Sequence, residues 1–143
     1  MNIEELTIDE AFRHLTQLAK RFQSWDRRTI VTAVLLELNM SPKRDGFNML
    51  VHAVPMYLDR IQVMKGLYPK VAQIYGVSTD QVEHSIRTAV AQAWKDRNEQ
   101  VWNAYFPPGV NGPERPSNGA FISRIAKLME LWEKSVYYTP DKT

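Results

Sequence analysis

The stretch that most constrains the fold runs from Leu67 to Trp94, LYPKVAQIYGVSTDQVEHSIRTAVAQAW. Leu67, Val71 and Ile74 recur at helical spacing, and Pro69 falls in the opening turn, where its missing N–H is tolerated. Gly76 supplies a left-handed stop. Ser78 or Thr79 can cap a second, longer helix, because a hydroxyl there accepts an otherwise unpaired N–H of the first turn. At about 100° per residue, Val82, Ile86, Ala89 and Ala93 fall on one side of that helix. Asp80, His84, Arg87, Thr88 and Ala91 fall on the other, with Glu83 at the border. Helix, four-residue turn and helix over a small apolar interior is the pattern of a helix-turn-helix, whose second helix presents its outer face to the DNA major groove. An ordinary helical hairpin gives the same periodicity.

The flanks are also helical. Thr7 and Glu10 have the form of a capping box, and Ile8, Ala11, Phe12, Leu15, Leu18, Ala19 and Phe22 mark the apolar stripe of an amphipathic helix ending near Trp25. Residues 28–38, RTIVTAVLLEL, form a short, strongly apolar helix expected at the centre of the core. Asn39 to Gly46 reads as a loop. Phe47, Leu50, Val51, Val54, Leu58 and Ile61 continue as a long helix in which Pro55 is expected to kink or break the chain near Ala53 to Val54. Glu99 to Tyr105 makes a short helix. Residues 106–119, FPPGVNGPERPSNG, are too rich in Pro and Gly for regular structure. Ser117 then caps a last helix with Phe121, Ile122, Ile125, Leu128, Met129 and Trp132 on its apolar side. The expected fold is all-α, a single domain of six to seven helices around the helix-turn-helix. An extra N-terminal helix occupies residues 1–28, the body residues 29–136 and a frayed tail residues 137–143.

Composition narrows the chemistry. The chain of 143 residues has no cysteine, which excludes disulfides, thiol catalysis and thiolate metal sites. No apolar run approaches the roughly 18 to 20 residues that span a bilayer, and the acidic start MNIEELTIDE is no secretory signal. A cytoplasmic protein without a membrane partner is expected. Net charge of +2 permits nucleic-acid binding without arguing for it. His14, His52 and His84 sit on separate predicted helices with no metal-ligand spacing. There is no phosphate loop or nucleophile elbow. Glu4-Glu5 and Asp9-Glu10 read as helix-start carboxylates that complement the macrodipole. The chain reads as a non-enzyme with no cofactor or metal.

At the residues of the helix-turn-helix the chain resembles the effector domain of the sporulation-initiating response regulator, the stage-zero transcription factor family of endospore-forming bacteria. Upstream, VLLELNMSPKRDGFNML is similar to that family's first helix, loop and Gly-aromatic start of the second helix. Downstream, PSNGAFISRIAKL is similar to its Pro-Thr/Ser-Asn-x-x-Phe-Ile opening of the last helix. The resemblance covers residues 29–134. It implies a sequence-specific DNA-binding transcription regulator with a recognition helix over residues 79–93. In the family the motif Val-Glu-Arg-x-Ile-Arg-His contributes its Glu and Arg residues to the DNA, and here the run is Val82-Glu83-His84-Ser85-Ile86-Arg87-Thr88. Glu83 and Arg87 therefore carry over as base-contacting residues, Glu suiting cytosine N4 and Arg suiting guanine O6/N7.

His84 replaces an Arg, Thr88 replaces a His, and Gln81 stands where the family has a basic residue. Glu83, His84 and Arg87 are the expected base contacts, with Asp80, Gln81 and Thr88 as further contacts on the same helix. Lys65, Lys70, Lys95, Arg97 and Arg115 are the phosphate candidates, each also readable as a solvated surface charge. Trp94 and Trp102 read as core residues. The family's receiver domain does not fit into residues 1–28, so a free-standing effector domain is expected. Its N-terminal helix is readable as packing on the body, the commoner role of an amphipathic helix, or as a dimerisation helix, and a homodimer could form through it or on adjacent DNA sites. RNA polymerase is the further partner that the resemblance implies. The alternative is a protein-interaction module with weakened DNA reading that pairs with and modulates a full-length relative.

Overall fold

The computed structural model describes residues 26–59 and 63–137, together with Glu10 and Arg13. Thr7 of the N-terminal capping box, the apolar stripe, His14, Trp25, Ile61 and residues 138–143 of the tail lie outside the described residues. Within them, six α-helices follow one another: α1 (Arg27–Glu37), α2 (Asp45–Leu58), α3 (Tyr68–Tyr75), α4 (Thr79–Lys95), α5 (Glu99–Tyr105) and α6 (Asn118–Tyr137). A π-helical turn, Val63–Leu67, leads into α3. The fold is all-α, and among the described residues no β-strand occurs.

Local chemistry sets most of the boundaries. The Asp26 carboxylate accepts the Thr29 N–H at 2.8 Å and starts α1, and that bond holds the carboxyl below its ordinary value. Two helices end in the same way. Asn39 (φ 67°) and Gly76 (φ 66°) adopt the left-handed conformation after α1 and α3. The following N–H then turns back to a carbonyl one turn earlier, Met40 to Leu35 and Val77 to Ala72, each at 3.0 Å. Ser117 caps α6, accepting the Ala120 N–H at 3.2 Å.

Pro55 does not break α2, one of the two effects expected of it. The helix continues to Leu58 and is closed by the Asp59 N–H donating to the Pro55 and Met56 carbonyls. Because Pro55 lies in the last turn, it removes one hydrogen bond with little helix left to disrupt. Ile74 is a second correction. It is 52% exposed, while Leu67, Tyr68, Val71 and Ala72 are the residues that α3 and its approach bury. The buried side of α3 runs through Tyr68, Val71 and Ala72 to Tyr75, which packs against the core, and Ile74 lies off that side.

The core is continuous across all six helices. Helix α1 buries Ile30, Val31, Ala33, Val34 and Leu35, yet α2 is the hub, packing against α1, α4 and α6. The predicted apolar side of α6 is buried throughout, from Phe121 to Trp132. An aromatic ladder joins the far ends. Trp94 meets Trp102 edge-on at 5.5 Å, and Phe106 stacks on Phe121 at 5.2 Å. Each such pair contributes about 0.5–1.5 kcal/mol beyond its burial. The buried Trp102 indole N–H is satisfied by the Leu38 carbonyl at 2.8 Å.

Helices α2 and α4 lie very close together at Gly46. A Cβ at Gly46 would stand 2.2 Å from the Ser85 carbonyl oxygen and 2.7 Å from Ala89 Cβ. Both obstacles belong to the rigid α4 frame, so no side-chain rotation relieves them. Gly46→Ala is expected to destabilise the protein by about 1–3 kcal/mol or more, the scale of an overpacked core. Gly119, inside α6 with open space where a Cβ would go, gives the opposite expectation: Gly119→Ala stabilises by about 0.5–1 kcal/mol. Urea denaturation of the two variants checks both signs.

Candidate nucleic-acid interface

Helix α4 is fastened along one side and free along the other. Val82, Ser85, Ile86, Ala89, Val90 and Ala93 are buried, as the spacing predicts for its apolar members. Asp80, Gln81, His84 and Arg87 are exposed, and Glu83, Thr88 and Ala91 are half-buried. Its entry is fixed by Ser78, whose hydroxyl accepts the Gln81 N–H at 3.1 Å. That makes Ser78 the cap, with three residues between Tyr75 and Thr79 in place of the expected four.

The far end of α4 is held by Gln92, which the sequence reading did not single out. Its amide N–H donates to the Asn39 carbonyl at 2.9 Å and to the Asp96 carboxylate at 3.0 Å, and its side-chain oxygen accepts the Ser41 N–H at 2.8 Å. Asn39 in turn donates to the Asp96 carbonyl at 2.7 Å. These bonds bind the α1–α2 turn, which carries the exposed Lys43 and Arg44, to α4. Nothing in the local pattern marks such contacts, because they link residues 51 to 57 positions apart.

On the outer face Arg87 donates to the Glu83 carboxylate one turn earlier. The two expected base readers are therefore one coupled unit. The Thr88 hydroxyl donates back to the His84 carbonyl at 2.9 Å, and the Gln81 amide donates to the Ser85 hydroxyl at 3.1 Å. Both side chains are thus engaged along their own helix. A cleft of about 450 Å³ runs beside this turn, bounded by Tyr68, Glu83, Arg87, Val90 and the Arg115–Gly119 segment.

The phosphate candidates divide. Lys65, Lys70, Lys95 and Arg115 are exposed. Arg97 is only 20% exposed: its guanidinium lies 3.8 Å from the centroid of the Trp94 ring and donates to the Trp94 carbonyl at 2.9 Å. Glu99 approaches it at 3.8 Å. The fold uses Arg97 to cover Trp94, a stacking role that a lysine would fill less well. Trp94 itself packs against the core and Trp102 is buried, as the sequence reading has them.

No cluster of three or more His, Cys, Asp or Glu side chains is placed to hold a metal among the described residues. No helix there is long and apolar enough to cross a membrane. His52, on α2, sits edge-on to Tyr75 at 5.7 Å. Burial and the nearby Arg28 charge hold its imidazole below the ordinary 6.5. The folded state thus favours neutral His52, so the unfolded chain binds more protons just below that value. Its contribution to stability is whole above about pH 6.5 and declines as pH falls through it, until the folded-state pKa is reached. Denaturation of the wild type and His52→Gln between about pH 7.5 and about pH 5.5 is expected to show a shallower loss in the variant.

Comparison with known families agrees with this arrangement. The family model described as sporulation initiation factor Spo0A C terminal matches residues 31–129, well over half of the chain. That family is the DNA-binding effector domain of a sporulation regulator. The matched span begins in α1 and ends in α6, so it contains the whole helix-turn-helix with both of its anchoring contacts.

Proposed function

Because the chain belongs to the Spo0A C-terminal family of sporulation initiation factors, we propose that it is a sequence-specific DNA-binding transcription regulator that reads the major groove with α4. The observation that carries this reading is the Glu83–Arg87 pair on the free face of a helix whose opposite face is fully packed. A helix anchored at its cap, its back and its far end can enter a groove without reorganising. Arg87 then meets a guanine edge and Glu83 a cytosine amine, while His84 stands between them as a single-point contact. Asp80, Gln81 and Thr88 border the same surface. Lys65, Lys70, Lys95 and Arg115 position the duplex through its phosphates, and Arg97 contributes chiefly by shaping the end of α4. Pairing of two copies on adjacent sites and contact with RNA polymerase belong to the same proposal.

One observation favours the second reading, a protein-interaction module that modulates a full-length relative. The recognition face is poor in free positive charge: Arg87 is neutralised by Glu83 and Arg97 is withdrawn over Trp94. Base reading survives such pairing, because the carboxylate and the guanidinium can address neighbouring bases together, whereas phosphate affinity is weakened.

Selection from a random duplex pool at two salt concentrations separates the readings. The wild type is expected to enrich one motif, and Arg87→Ala to lose discrimination for it by about tenfold or more, the worth of one bidentate base contact. Weak binding without an enriched motif that disappears as salt rises would leave the interaction module as the function.

A further inference from the structure

The turn of α4 that carries Glu83 and Arg87 is held from a third direction. The Asn118 side-chain amide, at the first residue of α6, donates to the Glu83 carbonyl oxygen at 2.9 Å across 35 positions of sequence. This carbonyl lies inside α4 and already serves as the acceptor of a helical bond, so its second lone pair takes the Asn118 N–H. The bond is surplus to what α4 needs for its own formation. Asparagine is also a mediocre helix former, so α6 gains nothing from it that alanine would not give. What the bond does supply is a fixed distance between the start of α6 and one turn of α4. Tyr68, 2% exposed, lies under the same junction. Burial raises its hydroxyl above the ordinary range, and a hydrogen bond with Asn118 opposes that shift. The α3 ring, the α6 side chain and the Glu83–Arg87 turn of α4 thus line one cleft, and the Asn118–Glu83 bond closes its α6–α4 side.

We propose that Asn118 is a positioning residue for DNA reading: its amide fixes the turn of α4 that carries Glu83 and Arg87, and so governs base discrimination without touching DNA. This rests on the DNA-binding reading of α4. A shift of that turn displaces both readers together, because their ion pair couples them. Phosphate contacts from Lys65, Lys70 and Lys95 lie on other turns and are left in place. The signature is a loss of specificity without a loss of general DNA affinity.

Asn118→Ala removes the donor and suits the first turn of a helix. Asn118→Asp keeps the shape, faces the Glu83 carbonyl with an acceptor, and is favoured electrostatically at a helix start. Both are expected to melt close to the wild type. Both are expected to bind the wild type's selected duplex about tenfold less tightly relative to random duplex, with random-duplex affinity and the salt slope unchanged. In the wild type, the Asn118 side-chain amide resonances are expected to shift on titration with selected duplex and to stay in place with random duplex. Wild-type discrimination in either variant would overturn the inference. So would a parallel fall in specific and random binding with a lowered melting temperature, or amide resonances indifferent to the selected duplex. A wild type that prefers no duplex at all would instead sink the DNA-binding reading itself, a result obtained before any variant is made.

Discussion

The structure depends on how closely α2 lies against α4 at Gly46. With the Ser85 carbonyl and Ala89 Cβ in the space where a side chain would begin, the two helices are separated by backbone alone. That approach lets a short helix-turn-helix share one core with the rest of the domain. The same contact has a functional side. It presses the back of α4 into the body, so that its apolar residues are consumed by the fold and its polar residues are left to a partner.

Three further restraints complete the frame around α4, and each acts at a different level. Ser78 closes the helix start locally. The Gln92 network ties its end to the α1–α2 turn, and Asn118 reaches its middle from α6. Electrostatics then decide what so rigid a surface can do. Few free cations line the front of α4, so the helix itself supplies little of the salt-dependent affinity that phosphates provide. What it offers is a paired acid and base in fixed geometry, which suits base discrimination better than tight general binding. In the proposed DNA complex the exposed lysines at the approach to α3 and at the end of α4 would supply the general attraction from the periphery.

Much of this was legible in the sequence because it is local. The spacing of Val82, Ile86, Ala89 and Ala93, the stop at Gly76, the cap at Ser117 and the apolar side of α6 follow from periodicity and turn chemistry. Pro55 was misjudged because its effect depends on how much helix follows it, which no single residue announces. Ile74 differs because the stripe through Leu67, Val71 and Ile74 runs along the edge of the face that Tyr68, Ala72 and Tyr75 turn to the core. Arg97 resembles a phosphate contact in sequence, yet Trp94 lies one turn before it and claims its guanidinium. The Gln92 and Asn118 anchors were beyond local reading altogether, since each bridges residues far apart in the chain. Their partners include backbone carbonyls, which carry no sequence signal.

The central claim, that the outer face of α4 is the surface that meets DNA, is tested most directly by mapping backbone amide shifts while a selected duplex is titrated into the isotopically labelled protein. The account predicts that the largest changes fall on Asp80, His84, Arg87, Thr88 and Ala91, with a smaller set at Lys65, Lys70 and Arg115. Changes confined to α1 and the outer side of α6, with α4 silent, would contradict it.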